Sequence, residues 1–296
     1  MDVTAPANVL LITLDQFRGD ALSCASHPLV KTPHLDALAS AGVRFARHYT
    51  QSTPCAPGRA GLYTGMYQMN HRVVANGTPL DDRFDNVARL AQRSGRQGAL
   101  FGYTDQSVDP RITLTADDPR LQTYEGLLPG FTWELDLTGP HRPWVDFLKA
   151  NGYDVSAGHM HLLATEHERP VEHSVSRFMT DHLIDWLQNQ TTTTQAPWFA
   201  HASYLRPHPP YSAPRDFTSM YDPADVGMPI TPSSDRHPFH DVLLGVRAVT
   251  APSDEAEMRY MRSQYFAMIS AVDAEMGRLW DALKRLGAWE NTVIIV

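Results

Sequence analysis

Val9-Leu10-Leu11-Ile12-Thr13-Leu14-Asp15 is the stretch on which the fold turns. Apolar residues follow one another without alternation, so neither face of the segment is meant for water, and a short run of this kind reads as a parallel strand covered on both sides. Asp15 stands at its carboxyl end, which is where open α/β sheets place their ligand sites. The competing use of an aspartate there is a turn or cap. Outward from this strand the chain alternates helix and strand signals. Thr32-Pro33 reads as N-cap and first residue of a helix through Leu35, Leu38 and Ala39, stopped by Gly42. A helix over Val87 to Arg93 ends at Gly95 and leads into a strand over Gly98 to Gly102. Val175, Phe178, Met179, Ile184, Trp186 and Leu187 mark another helix, with Thr191 to Thr194 as a polar linker before a strand over Trp198 to Leu205. Residues 106–171 are rich in Pro, Gly and His and read as an irregular insertion near the site. His159, His161 and His167 within it, and His173 just after it, lack the spacing of a second metal site. Residues 221–249 read as a loop-rich rim.

Composition limits the function classes. The chain has 296 residues, 43% hydrophobic and 20% charged, enough for one large domain over 1–296. The net charge of −8 argues against a nucleic-acid surface, so an anionic small molecule needs a local positive site. No stretch approaches a membrane helix. The run Asn8 to Leu14 is too short for an export signal and lacks a basic region before it, so a cytoplasmic protein is expected. Cys24 and Cys55 are the two cysteines and form no disulfide framework. Cys24 reads as a small core residue.

Cys55-Ala56-Pro57-Gly58-Arg59-Ala60-Gly61-Leu62-Tyr63-Thr64-Gly65 spells C-x-P-x-R-A-x-L-x-T-G. It resembles the sulfatase and phosphonate monoester hydrolase branch of the alkaline phosphatase superfamily; the alternative is a structural cysteine beside a Pro-Gly turn. The resemblance implies a sulfatase-like α/β sandwich with a mostly parallel central sheet. It implies that Cys55 is oxidised by a formylglycine-generating enzyme to formylglycine, an aldehyde that hydrates to a geminal diol. One diol oxygen takes the transferred group, and the other hydroxyl then loses its proton and expels the anion by C–O cleavage, so no second attack at phosphorus or sulfur is needed. Arg59, one helical turn on, would point at the diol or at substrate oxygens, unless it is a surface ion pair.

The resemblance extends to four further places. Asp15-Gln16 matches the family's metal-binding carboxylate and its neighbour, making Asp15, Gln16 and residue 55 the expected ligands. With one carboxylate fewer than many sulfatases carry, the site favours manganese or zinc over calcium. Arg206-Pro207-His208-Pro209-Pro210 is similar to the R-P-H-P-P run of phosphonate monoester hydrolases, with His208 as donor to the leaving group. Asn76, before Gly77, is a substrate-binding candidate whose rival reading is a plain turn. Tyr103 is another, while Asp105 stands where the resemblance leads one to expect threonine, and a carboxylate there repels a dianion. The implied function is hydrolysis of phosphonate monoesters, phosphodiesters or sulfate esters, with a small anionic ester as substrate. A true sulfatase of aryl, alkyl or sugar sulfates is the alternative, and homo-oligomer formation stays open.

Asp254 to Gly287 is the most regular unit, apolar at Met258, Met261, Tyr265, Ile269, Val272, Met276, Leu279 and Leu283, and Thr292 to Val296 follows as a strand. In the family this strand runs on into T-S-D-H-G, whose Asp and His bind the metal. The sequence is therefore expected to be a C-terminally truncated portion, without that Asp-His segment, a downstream lysine and the C-terminal subdomain. A non-catalytic fragment is the corresponding alternative to an enzyme.

Overall fold

The computed structural model describes residues 7–112, 115–121, 123–194, 196–230, 233, 235–246 and 250–296. Its strands are β1 (Asn8–Leu14), β2 (Gly98–Gly102), β3 (Phe131–Asp136), β4 (Phe199–Tyr204) and β5 (Thr292–Ile295), in the order β3-β2-β4-β1-β5. Every neighbouring pair is parallel. The helices are α1 (Pro33–Ala41), α2 (Cys55–Thr64), α3 (Gln68–His71), α4 (Val87–Arg93), α5 (Arg142–Ala150), α6 (His159–Ala164), α7 (Val175–Asn189), α8 (Pro238–Leu244) and α9 (Glu255–Arg285). This is the expected α/β sandwich. Leu10 and Ile12 of β1 join one core with residues of α1, α5, α7 and α9, while Leu11 joins a second core with Ala56 and Ala60 of α2 and Ala88 and Ala91 of α4. Burial on both faces is why the β1 sequence does not alternate. None of the described helices is long and apolar enough to cross a membrane.

Three local expectations need correction. Thr32 does not cap α1 with its side chain; it donates instead to Asp36 Oδ1 at 3.1 Å. The free N–H groups of His34 and Leu35 donate to Asp273 of α9, at 3.1 and 2.8 Å. A carboxylate offers two acceptors and a charge suited to the positive end of the helix dipole, so the cap also docks α9 on α1. Burial is the main cause that raises the Asp273 carboxyl above its ordinary range.

The stretch 106–171 is not merely an irregular insertion. Phe131–Asp136 is the edge strand β3, and Trp144 and Leu148 of α5 are fully buried in the first core. The strand was hard to see because Thr132, Glu134 and Asp136 leave one face exposed, as the edge position permits. Nor is Thr191–Thr194 a linker: Gln190–Thr194 prolongs α7 as a wide helical turn, with the Thr191 and Thr192 hydroxyls donating to the carbonyls of Leu187 and Gln188. Within the expected rim, α8 is helical, and residues 231, 232, 234 and 247–249 lie outside the described residues.

Candidate active site

The site is built above the carboxyl ends of three adjacent strands, β2, β4 and β1. Cys55 opens α2, and Arg59 and Tyr63 follow at intervals of four, so the three lie along one face of the helix. Pro54 has no side chain to cap the helix with, and Asn76 supplies the missing acceptor: its Oδ1 takes the N–H of Ala56 at 3.0 Å. Gln106 Nε2 donates to the Ala56 carbonyl at 3.1 Å. The first turn of α2 is thus held from two sides.

Arg59 is buried and uses its whole fork on the protein. Nη1 donates to Ser203 Oγ at 2.9 Å, to Tyr63 Oη at 3.1 Å and, more distantly, to Thr13 Oγ1 and the Tyr103 carbonyl at 3.4 Å. Nη2 lies 3.2 Å from Asp15 Oδ2, and Nε 3.2 Å from Asp105 Oδ2. The guanidinium also lies 4.9 Å from the centre of the Tyr103 ring. Its partners explain why strands that are otherwise apolar carry Thr13, His201 and Ser203 in paired register on the face toward α2. His201 Nε2 bonds Thr13 Oγ1 at 3.3 Å, and the ring is held neutral, well below its ordinary range, by burial first and the Arg59 charge second.

Asp15 gathers the remaining groups. The Cys55 thiol donates to Oδ1 at 3.7 Å, and the Tyr103 hydroxyl to Oδ2 at 2.8 Å. Tyr103 is delivered by Gly102, whose φ of +100° and close approach to β4 admit no side chain: a Cβ would lie 2.3 Å from the Ser203 carbonyl oxygen. The Cys55 thiol is pushed up to about 11, by burial foremost and then by Asp15 and Asp105, while Arg59 and an Asn76 hydrogen bond pull it down. A thiol so held is not a thiolate nucleophile. Asp105, at a φ of 54°, is raised to about 7 by burial, against the pull of Arg59.

His208 completes the cluster. One donor atom each from Asp15, Cys55 and His208 lie within 4.8 Å of one another, and these are the only three acid, thiol or imidazole groups so grouped among the described residues. His208 Nδ1 is 2.8 Å from the Pro209 carbonyl. A carbonyl oxygen only accepts, so Nδ1 carries the proton and neutral His208 presents Nε2 as an acceptor. The loop owes its shape to Arg206, which pairs with buried Glu166 at 2.6 Å and donates to the carbonyls of His208, Pro210 and Leu163 at 2.8, 2.7 and 2.9 Å.

The sequence candidates divide accordingly. Asp15, Cys55, Arg59, Tyr103 and His208 converge. Asn76 is present but is spent, through its oxygen, on the α2 N-terminus. Gln16, exposed and at a φ of 59°, donates from its amide to Tyr211 Oη at 3.2 Å. The sequence reading missed Thr13 and Ser203 as partners of Arg59, His201 as the partner of Thr13 behind them, and Arg206 as the scaffold of the His208 loop; each is an ordinary polar residue whose role exists only in register. The His-rich stretch goes elsewhere: His159 stacks on His141, His167 bonds Ser212, and His173 bonds Tyr153.

A buried arginine, a carboxylate and a thiol meet at the strand ends of a parallel α/β sandwich. The chain belongs to the sulfatase family, whose profile matches residues 7–296. It is 33% identical to the multifunctional alkaline phosphatase superfamily protein PehA of Trinickia caryophylli, over 97% of this chain and 62% of that protein. With the choline-sulfatase of Rhizobium meliloti it shares 27% identity, over 99% of this chain and 57% of that one. The crystal structure of the phosphonate monoester hydrolase of Agrobacterium radiobacter superposes with a TM-score of 0.84 and 39% identity, covering 97% of this chain and 61% of that chain. The chain therefore spans about three fifths of the length of these relatives.

Proposed function

We propose that this chain carries the nucleophile half of a hydrolase of phosphonate monoesters, phosphodiesters or sulfate esters, with formylglycine at position 55. The observation that carries the reading is the meeting of Asp15, Cys55 and His208 within one ligand sphere beside Arg59. A thiol that burial and two carboxylates keep protonated is a poor nucleophile as it stands, and its conversion to an aldehyde hydrate replaces sulfur with a diol oxygen at the same point.

The donor set fits a divalent cation. Asp15 offers an anionic oxygen, residue 55 the oxygen of its modified form, and His208 an unprotonated nitrogen; Gln16, at the next position, is a fourth proposed ligand through its amide oxygen. A mixed nitrogen and oxygen set with a single carboxylate suits manganese or zinc better than calcium. When bound, such an ion polarises substrate oxygen and lowers the pKa of a coordinated hydroxyl. The protein's own groups do the rest. Arg59 fixes the Asp15 carboxylate through their 3.2 Å ion pair. Tyr103 orients the same carboxylate through Oδ2. Asn76 holds the first turn of α2 by accepting the Ala56 N–H, so that residue 55 is held toward the transferred group. Where His208 Nε2 is not taken by the cation, His208 as the imidazolium protonates the leaving oxygen instead.

The choline-sulfatase likeness favours sulfate esters as the second reading, and the phosphonate monoester hydrolase likeness favours the first. The test is direct. Protein produced in a host with a formylglycine-generating enzyme is digested, and the Cys55 peptide should be about 18 mass units lighter than its thiol form, the change from CH₂–SH to an aldehyde. Metal content after dialysis and turnover of an aryl phosphonate, a bis-aryl phosphodiester and an aryl sulfate are measured on the same material. A fully alkylatable Cys55 from such a host, with no turnover of any ester, would sink the reading.

A further inference from the structure

Arg59 lies between two carboxylates, Asp15 and Asp105, each 3.2 Å from one of its nitrogens. Above pH 7, where Asp105 is ionised, the three side chains sum to one negative charge, and among the charged groups that act most on Asp105 Arg59 is the cation, against Asp15 and Glu125. Asp105 is only 4% exposed, so water screens it little, and aspartate is one of the few residues other than glycine that sit readily at its φ of 54°. Cys55 Sγ lies 3.7 Å from Asp15, which shares the Arg59 guanidinium with Asp105, and Asp105 is among the charges that raise the Cys55 thiol, so Asp105 acts on the space at residue 55.

We infer that Asp105 is a specificity-determining residue: by occupying Arg59 it makes the pocket at residue 55 select singly charged esters over doubly charged phosphate monoesters. This deepens the proposed hydrolase reading and rests on it for the identity of the esters. A guanidinium with one free edge would clamp both charges of a phosphate monoester. One already bound by two carboxylates is neutralised, and the uncompensated carboxylate charge opposes each added charge on the ligand. Phosphodiesters, phosphonate monoesters and sulfate monoesters carry one charge and meet this opposition once; a phosphate monoester meets it twice. A cation on Asp15 attracts a dianion twice as strongly as a monoanion, but does so equally in the wild type and in an Asp105 variant, and so leaves the difference made by Asp105 in place.

The Cys55 thiol is a built-in reporter that needs no turnover. In chain purified with Cys55 unconverted, the alkylation rates of the Cys55 peptide by neutral iodoacetamide and singly charged iodoacetate are followed by mass spectrometry, which separates it from Cys24. Their ratio cancels the thiolate fraction. At pH 8, where Asp105 is ionised, iodoacetate should be disfavoured in the wild-type chain relative to an unstructured cysteine peptide, and Asp105→Asn should raise the iodoacetate-to-iodoacetamide ratio roughly fivefold to tenfold at low salt. Asp105→Gly, which also suits the positive φ, is the second neutral variant should the first fail to fold. In material that turns over, the kcat/KM ratio of an aryl phosphate to a bis-aryl phosphodiester should rise by a similar factor. Equal alkylation ratios in wild type and both variants overturn the inference even if every ester is hydrolysed. A shifted ratio, with no ester turned over by chain whose Cys55 has been converted to formylglycine, supports charge selection and counts against the hydrolase reading instead.

Discussion

Replacing Arg59 by methionine tests the central claim about the site, that one buried cation holds two buried carboxylates. The substitution keeps an unbranched apolar stem and removes the guanidinium. What is lost is visible in the geometry: ion pairs of 3.2 Å to Asp15 and to Asp105, hydrogen bonds of 2.9 Å to Ser203 and 3.1 Å to Tyr63, and the stacking on Tyr103. Breaking a buried ion pair from one side costs about 3–5 kcal/mol, because the partner charge stays behind. Here two partners stay behind, but Asp105 relieves its share by taking up a proton, so the expected loss is about 3–5 kcal/mol at pH 8 rather than twice that. The pH dependence gives the sharper reading. Asp105 is already raised from its usual 3.8 to about 7 in the folded chain, so its favourable contribution is complete below pH 4 and is lost as the pH rises through 7. Without Arg59 the carboxyl moves further up and the unfavourable slope extends into alkaline pH. The gap between wild type and Arg59→Met should therefore be smaller at pH 5.5, where Asp105 is protonated in both, than at pH 8. Urea unfolding followed by tryptophan fluorescence at the two pH values measures it. A loss below about 1 kcal/mol, the same at both, would refute the shared-cation arrangement and put Arg59 among ordinary surface pairs.

The sequence made the sheet legible wherever burial was two-sided or the helix pattern was long. Val9 to Leu14, Gly98 to Gly102 and Trp198 to Leu205 carry unbroken small or apolar runs because helices cover both faces of the inner strands. The helix after Asp254 announces itself over eight turns, and its Asp254 cap accepts from Glu257 N–H at 2.8 Å as the pattern implies. Phe131–Asp136 escaped because an edge strand needs only one covered face and can be polar on the other. The cap of α1 escaped for a different reason: Asp273 lies 241 positions beyond Thr32 in the chain, and no local pattern connects a carboxylate in the middle of one helix with the free N–H groups of another.

In the site, residues carried by a contiguous motif were readable and those carried by register were not. Cys55 and Arg59 share a helix face and could be paired from spacing alone. His201 looked like any strand residue, yet it stands opposite Leu11, two pairs before Thr13 and Ser203 and so on the same face, where it bonds Thr13 beneath Arg59. The expectation that Arg59 reaches out to the substrate did not anticipate Asp105. A carboxylate judged only as repelling an anion turns out to be bound to the very cation that would have attracted it. Repulsion and neutralisation act in the same direction, which is why a single position carries the charge selectivity argued above.

Three further outcomes are expected. Asn76→Ala, which removes the acceptor for the Ala56 N–H, should destabilise the protein by about 1 kcal/mol, the usual worth of a helix N-cap, and thermal unfolding will show it. Asp273→Ala leaves the His34 and Leu35 N–H groups without their acceptor and should cost about 1–3 kcal/mol, read by urea unfolding; an unchanged midpoint would mean that water replaces the carboxylate. His208→Ala separates two roles that the geometry allows for the same ring. With Nδ1 committed to the Pro209 carbonyl, neutral His208 serves only as an acceptor or ligand at Nε2, and it donates from Nε2 only as the imidazolium. If it protonates the leaving oxygen, removal should slow an alkyl ester, whose leaving group needs a proton, by roughly 10²–10⁴-fold, and slow a nitrophenyl ester, whose leaving group does not, far less. The advantage of the wild type over the variant should then shrink as the pH is raised. An equal loss with both leaving groups, restored in part by excess metal, would rule out the acid and leave His208 as a ligand alone.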